Sequence, residues 1–312
     1  MAGARATVAL DELTRLRHRA RGFSFLPRQP VHSLLTGRHA SRLRGRGLDF
    51  EELRHYFEGD DTRTIDWAAT ARRGEPHVRV YSEERDRSVL LLVDQRQSMF
   101  FGSRHAMKSV AAAEAAALAA FRVTSLGDRV GAIVFSEHGF VEIRPRAREA
   151  GVRRILAEVV RQNRLLSAEG PPPDATLLNA ALRHAARLAN HDWLVCLISD
   201  MAGADGKTVR SMTEITAHND ALAILVQDPL EAELPDIGRT VLAEGDRQVE
   251  IDLSARELRR RFAGEAAAER ARVERFSLHH AIPVLPITTH RDVADQMREL
   301  LGHRLSHRRR AA

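Results

Sequence analysis

The chain has 312 residues, 44% of them hydrophobic and 29% charged, with a formal net charge of +6 and a pI near 10.4. That length suits one large α/β unit with a smaller appendage. It contains no run approaching the roughly 18 uninterrupted apolar residues of a membrane span. The first 21 residues lack the apolar core of a secretory signal, so a cytoplasmic location is expected.

The charge is unevenly spread. Of the 48 basic residues only Lys108 and Lys207 are lysine, a skew that fits GC-rich codon usage better than selection for phosphate contacts. Residues 1–50 carry ten arginines against Asp11, Glu12 and Asp49. This arm lacks the aromatic interleaving of single-strand binders and reads as a solvated or partner-facing segment. A nucleic-acid role for the arm from Arg15 to Arg46 is the alternative, and salt-dependent duplex binding is its test.

In chain order, Leu10, Leu13 and Leu16 have helical spacing within residues 8–20. A polar, Gly- and Arg-rich stretch follows, then a short helix is expected over 48–57. Gly59-Asp60-Asp61 and Gly74-Glu75-Pro76 read as turns, with a strand over 78–81. From residue 88 strands and helices alternate. Val89 to Val93 is an unbroken apolar run, as in a strand buried on both faces. An alanine-rich helix is expected over 104–125, strands over 130–135 and 140–143, the latter an alternating antiparallel edge, and a helix over 149–163.

Gly170-Pro171-Pro172-Pro173 forms a loop ahead of a helix over 177–189. Two further buried strands, 194–198 and 222–226, precede a helix over 254–279, a short strand over 284–287 and a closing helix over 292–301. The expected organisation is residues 1–87 as a basic arm and signature segment packing on the main domain, 88–301 as an α/β domain, and 302–312 as a frayed basic tail. Such alternation predicts a mainly parallel sheet with helices on both faces. Ligands then sit just beyond the carboxyl ends of the strands.

Three loops meet that description. Asp94-Gln95-Arg96-Gln97-Ser98-Met99 follows the first buried strand, Ser199-Asp200 follows a later one, and Asp174-Ala175-Thr176 precedes a helix. Their carboxylates and hydroxyls are hard oxygen donors that suit Mg²⁺ or Mn²⁺ rather than Zn²⁺. The set resembles the metal-ion-dependent adhesion site of von Willebrand A domains, with pattern Asp-x-Ser-x-Ser, a Thr and an Asp. Asp94, Ser98, Thr176 and Asp200 match it. In that family a partner's acidic side chain completes the metal sphere. Arg96 stands where the first serine belongs, and a guanidinium there can pair with the carboxylates and displace the cation. If Arg96 takes the metal's place, its guanidinium is expected to bind the partner's carboxylate directly, and Arg96 and Met99 are the expected partner-binding residues.

A second resemblance covers roughly residues 30–230. Gly45-Arg46-Gly47-Leu48-Asp49-Phe50, Arg54, Tyr56, Gly59-Asp60-Asp61, Arg63, Ile65-Asp66-Trp67, Ala71-Arg72 and Glu83-Glu84 are similar to the signature of the domain of unknown function 58 family. Phe101-Gly102, Lys108, Gly127-Asp128-Arg129-Val130-Gly131 and Asp228-Pro229-Leu230 continue it. The resemblance implies a companion of a MoxR-type AAA+ ATPase, acting on client protein complexes without catalysing a reaction. Asp60, Asp61 and Asp66 read as ion-pair partners of Arg54, Arg63 and Arg72 rather than as a metal or acid/base cluster. Trp67 is expected to be a buried packing anchor. Cys196 lies in an apolar strand and reads as inert packing. His279-His280 lacks partners at ligand spacing. Neither a phosphate-binding loop nor a nucleophile elbow is present. A metal-dependent hydrolase using Asp94 and Asp200 remains the enzymatic alternative, without an evident general base.

Overall fold

The computed structural model of the chain describes residues 4–23, 48–57, 62–83, 87–244, 247–280 and 282–302. The chain divides into two compact units, Arg28–Asp86 and the remainder, Met1–Pro27 with Arg87–Ala312. The described residues 4–23 belong to the α/β unit. Helix α1 (Leu10–Arg15) runs into a 3₁₀ turn, Leu16–Arg19. Leu13, Ala20 and Phe23 are buried in the main core. Arg5 pairs its backbone with Ala106 through a bridge.

In the smaller unit, β1 (Leu48–His55) and β2 (His77–Glu83) form an antiparallel ladder, Leu48 opposite Glu83 and His55 opposite His77. The helix expected over 48–57 is therefore a strand. Eight residues cannot nucleate a stable helix alone, and pairing with β2 decides the conformation. Between the strands lies α2 (Trp67–Arg73). Asp66 caps it, accepting from the backbone N–H groups of Ala68 and Ala69, both at 3.0 Å. Gly74, at φ 77°, ends it in the left-handed conformation that suits glycine.

Trp67 is not the buried anchor that was expected: it is 69% exposed. It opens α2, whereas the inward-facing Ala69 lies two residues on, roughly 200° around the helix. Arg63 lies in a short 3₁₀ turn, Thr62–Thr64. Asp60 and Asp61 lie outside the described residues, as do residues 24–47 of the basic arm and the tail from 303.

The larger unit continues with β3 (Ser88–Asp94), α3 (Lys108–Ser125), β4 (Arg129–Ser136), β5 (Gly139–Arg146), α4 (Glu149–Asn163), α5 (Thr176–Leu188), β6 (Leu194–Ser199), α6 (Gly206–Thr216) and β7 (Asp220–Gln227). There follow α7 (Pro229–Ala232), β8 (Arg239–Glu244), β9 (Arg247–Asp252), α8 (Arg256–His280), β10 (Val284–Thr288) and α9 (Val293–Gly302). Six strands form one sheet in the order β10-β7-β6-β3-β4-β5. All neighbours are parallel except β4 and β5, whose antiparallel pairing makes β5 the expected edge. The fold is α/β with a mainly parallel central sheet and helices on both faces. Helix α6, the short α7 and the β8–β9 hairpin have no counterpart in the sequence reading.

Alternate residues of β3 serve the two faces, as the period of a strand requires. Val89, Leu91 and Val93 pack with α3, α4, α9 and the N-terminal segment. Leu90 and Leu92 pack with Ile133, Phe135, α5 and α6. Alanines fill α3 almost throughout and are buried, so the helix lies close against the sheet and its neighbours. The strand order reverses between β3 and β6. After β3 the chain crosses to β4 on one side, and later returns to β6 on the other. Such a switch point opens a crevice beyond the carboxyl ends of the two strands.

Candidate functional site

Asp94 ends β3, and Ser199 ends β6 one residue before Asp200. Val93 is paired with Ile198, so the residues that follow meet at the switch point. Ser199 Oγ donates to Asp94 Oδ2 at 2.7 Å and accepts from the backbone N–H of Met201 at 2.9 Å. Asp94 is fully buried and Arg96 is 1% exposed. Arg96 folds back on Asp94 as a fork. Its Nε donates to Oδ1 at 3.0 Å and its Nη2 to Oδ2 at 2.7 Å, while its backbone N–H donates to Oδ1 at 2.9 Å. The same Nη2 reaches Asp200 Oδ1 at 3.4 Å, and Nη1 donates to the carbonyl of Ala202 at 3.1 Å. The guanidinium sits over the Phe135 ring, 5.8 Å from its centre.

The other side of Asp200 is held by a residue absent from the sequence-based site. Lys108 Nζ donates to Asp200 Oδ2 at 2.8 Å and also pairs with Glu231 of α7. Lys108 is buried although it opens α3, where the helix dipole disfavours a cation. The two carboxylates therefore hold it. One signal in the sequence pointed this way: Lys108 is one of only two lysines in a chain that otherwise uses arginine.

Burial pushes the Asp94 carboxyl above the usual carboxylate range, against the opposing pull of Arg96. Burial also acts on Asp200, but Lys108 and then Arg96 outweigh it and hold Asp200 below that range. Both cations are raised despite their burial, Arg96 by Asp94 and Lys108 by Asp200.

Neither Thr176 nor Ser98 hydrogen-bonds to Asp94 or Asp200. Thr176 opens α5, exposed, and its hydroxyl donates to Asp174 Oδ1 at 2.7 Å. Ser98 lies in the 3₁₀ turn Gln97–Met99, its Oγ buried without a hydrogen-bond partner. Met99, expected to face a partner, is fully buried in the main core, because the inner side of that turn rests on α3. Arg96, given the same expectation, is enclosed by the carboxylates it binds.

A divalent cation does not fit this arrangement. Every oxygen of Asp94 and Asp200 accepts from a cation, a hydroxyl or an amide, and Thr176 is turned to Asp174. Among the described residues no group of three or more His, Cys, Asp or Glu side chains is placed to hold a metal ion.

A polar relay links the site loop to the N-terminal segment. Gln95, buried beside Asp94, donates to the Ser109 carbonyl at 3.0 Å and accepts from Asn163 Nδ2 at 3.1 Å. Asn163 Oδ1 accepts from the backbone N–H of Val8 at 3.0 Å. Of the arginines in the described part of the arm, Arg15 pairs with Asp11, Arg17 with Glu149, and Arg19 with Asp292 and Asp295. On the opposite flank, Asp228 is buried and accepts from the backbone N–H groups of Ser103 at 2.8 Å and Leu230 at 2.9 Å, and from the Thr289 hydroxyl. Two short motifs of the sequence signature, Lys108 and Asp228-Pro229-Leu230, are thus brought to one end of the sheet.

The family model described as "Protein of unknown function DUF58" matches residues 52–272. The chain belongs to the DUF58 family. An uncharacterized protein of Mycobacterium tuberculosis H37Rv, Rv1480, is 32% identical over 282 residues, covering 89% of this chain and 86% of its own. The Mycobacterium bovis protein Mb1516 is similar to the same extent. Among solved structures, an aerotolerance-related membrane protein from Bacteroides fragilis aligns with a TM-score of 0.40 at 16% identity, covering 70% of this chain and 97% of that one. BatB from Bacteroides thetaiotaomicron aligns with a TM-score of 0.42 at 15% identity, over 72% of this chain and all of that one. Among the described residues of this DUF58 protein, no helix is long and apolar enough to cross a membrane.

Proposed function

We propose that this DUF58 protein is a non-enzymatic, cytoplasmic protein-binding module of the von Willebrand A type. It acts with a MoxR-type AAA+ ATPase in the assembly or maturation of client complexes. The observation that carries this reading is the convergence of Asp94, Arg96 and Asp200 at the switch point of a parallel sheet. That is where α/β folds present ligand-binding loops, and it is where the sequence pattern of the adhesion site puts its carboxylates.

The sequence carries neither a phosphate-binding loop nor a nucleophile elbow, which favours a binding role over hydrolysis. Because Arg96 is enclosed, partner contact falls on the exposed rim around it. Phe101, which covers Lys108 at 5.9 Å, is 41% exposed. Ala202, whose carbonyl Arg96 holds, and Gly203 are exposed, as are Asp174 and Thr176. Gly203, at φ 78°, lets its loop close against Ala175; a Cβ there would fall 2.4 Å from the Ala175 Cβ. That close approach restrains the Gly203 part of the rim, and a restrained surface lowers the ordering cost of binding.

The test is purification of the tagged full chain from its native cells, with and without ATP, followed by identification of bound proteins. A MoxR-type ATPase should co-purify with the native chain and be lost from Phe101→Asp. Absence of any AAA+ ATPase in both nucleotide states would count against this reading.

A further inference from the structure

Two buried carboxylates at the carboxyl edge of a parallel sheet need compensating charge, because isolated buried charges are strongly disfavoured. We infer that Arg96 and Lys108 are the resident cations of this site and stand in the place of a divalent metal ion. Each carries one positive charge, so together they match Mg²⁺ or Mn²⁺ and neutralise Asp94 and Asp200.

Geometry supports the substitution of one kind of cation for another. Arg96 does mechanically what a bridging metal would do: it ties the loop after β3 to the loop after β6, through Asp94, Asp200 and the Ala202 carbonyl. Lys108 ties the start of α3 to the same Asp200. Both cations have aromatic faces beside them, Phe135 for Arg96 and Phe101 for Lys108. Aromatic faces attract guanidinium and ammonium groups, whereas Mg²⁺ needs close oxygen ligands and usually retains water. The hydroxyls that a metal would recruit are left over. Thr176 donates to Asp174, and Ser98 Oγ is buried without a partner. A metal ion entering the site would meet two fixed positive charges and no vacant carboxylate oxygen.

This inference goes beyond the proposed function and does not require it, because its test involves no partner. The full chain is titrated with Mn²⁺ by calorimetry and by the electron paramagnetic resonance of free Mn²⁺. The native chain should show no stoichiometric binding up to millimolar Mn²⁺. The double variant Arg96→Ser, Lys108→Gln frees both carboxylates and adds a hydroxyl near Ser98. It should acquire one Mn²⁺ site, tighter than any native binding by about tenfold or more, and a melting temperature that rises with Mn²⁺. Adding Asp94→Asn should abolish that gain. Stoichiometric Mn²⁺ binding by the native chain, lost in Asp94→Asn, would overturn the inference. So would a folded double variant that binds no Mn²⁺. If the double variant does not fold, the native titration and Asp94→Asn decide alone.

Discussion

Arg96 and Asp94 form a two-pronged ion pair across two residues of chain, with Nε 3.0 Å from Oδ1 and Nη2 2.7 Å from Oδ2. Neither side chain is exposed beyond 1%. A fork-to-fork pair of this kind is among the stronger and more directional polar contacts. Its burial also means that each partner depends on the other, since several kcal/mol per ion is spent on desolvation.

The first prediction follows from that dependence. A loop residue at a binding site would be expected to tolerate Asp94→Ala with the fold intact, but the structure points the other way. Removing the carboxylate leaves the Arg96 guanidinium enclosed with only the longer 3.4 Å contact to Asp200 as an ionic partner. The loss of stability should be about 3–5 kcal/mol. Urea unfolding of the native and Asp94→Ala chains measures it. A loss below about 1 kcal/mol is the range of exposed pairs and would show that the pair is open to water in solution.

Acid should weaken the protein through carboxylates on both flanks of the site. At Asp228, burial raises the carboxyl, but hydrogen bonds from Thr289, Ser103 and Leu230 outweigh it and hold the group below its ordinary value. Asp200 is held low as well, by Lys108 and Arg96 against burial. With the folded values below the unfolded value of about 3.9, the unfolded chain takes up protons first. The stabilisation is complete above that value and disappears as pH falls through the folded values. In Asp228→Asn the melting temperature should be lower at neutral pH and fall less steeply below pH about 4. Parallel acid limbs for the two proteins would remove Asp228 from this account.

Trp67, at 69% exposure, should behave as a surface residue. Acrylamide should quench most of its fluorescence, read as the difference between the native chain and Trp67→Phe, since Trp193 also emits. Substitution to alanine should cost less than about 0.5 kcal/mol. Protection from quencher, or a loss of several kcal/mol, would restore the anchoring role expected from the sequence.

The Cys196 thiol is enclosed in β6, and burial pushes its pKa up to about 12. At pH 8 it carries almost no thiolate, and the thiolate is the reactive form. A thiol reagent should label it only as fast as the sheet opens, and fully in denaturant. Stoichiometric labelling of the native chain within minutes would mean an accessible, activated thiol.

Much of this architecture is legible in the sequence because a parallel strand buried on both faces leaves an unbroken apolar run. Val89 to Val93 and Leu194 to Ile198 are such runs. A polar residue directly after each one must lie at the carboxyl edge of the sheet, which is how Asp94 and Asp200 are found without coordinates. The edge position of β5 is equally local: its short apolar and polar mixture differs from the unbroken apolar runs of the buried strands, and in the fold only Ile143 of the strand is buried. Part of what escaped the sequence is set by partners distant in the chain: β1 is a strand because β2 lies beside it. Trp67 escaped for a local reason, because Asp66 caps a short helix that the sequence reading did not foresee.

The site's chemistry shows the same division. That Arg96 replaces a serine in the pattern is written in the sequence, but whether it points into the cluster or away from it is not. Only the folded chain brings Lys108 to Asp200, 92 positions later, and Val8 to Asn163 across 155. Local patterning records the solvent exposure each residue demands, and so it determined the sheet and its carboxylates. The charge that balances those carboxylates comes from side chains brought together only by the packing of α3 and the crossing of the two central loops, so the tertiary structure alone decided it.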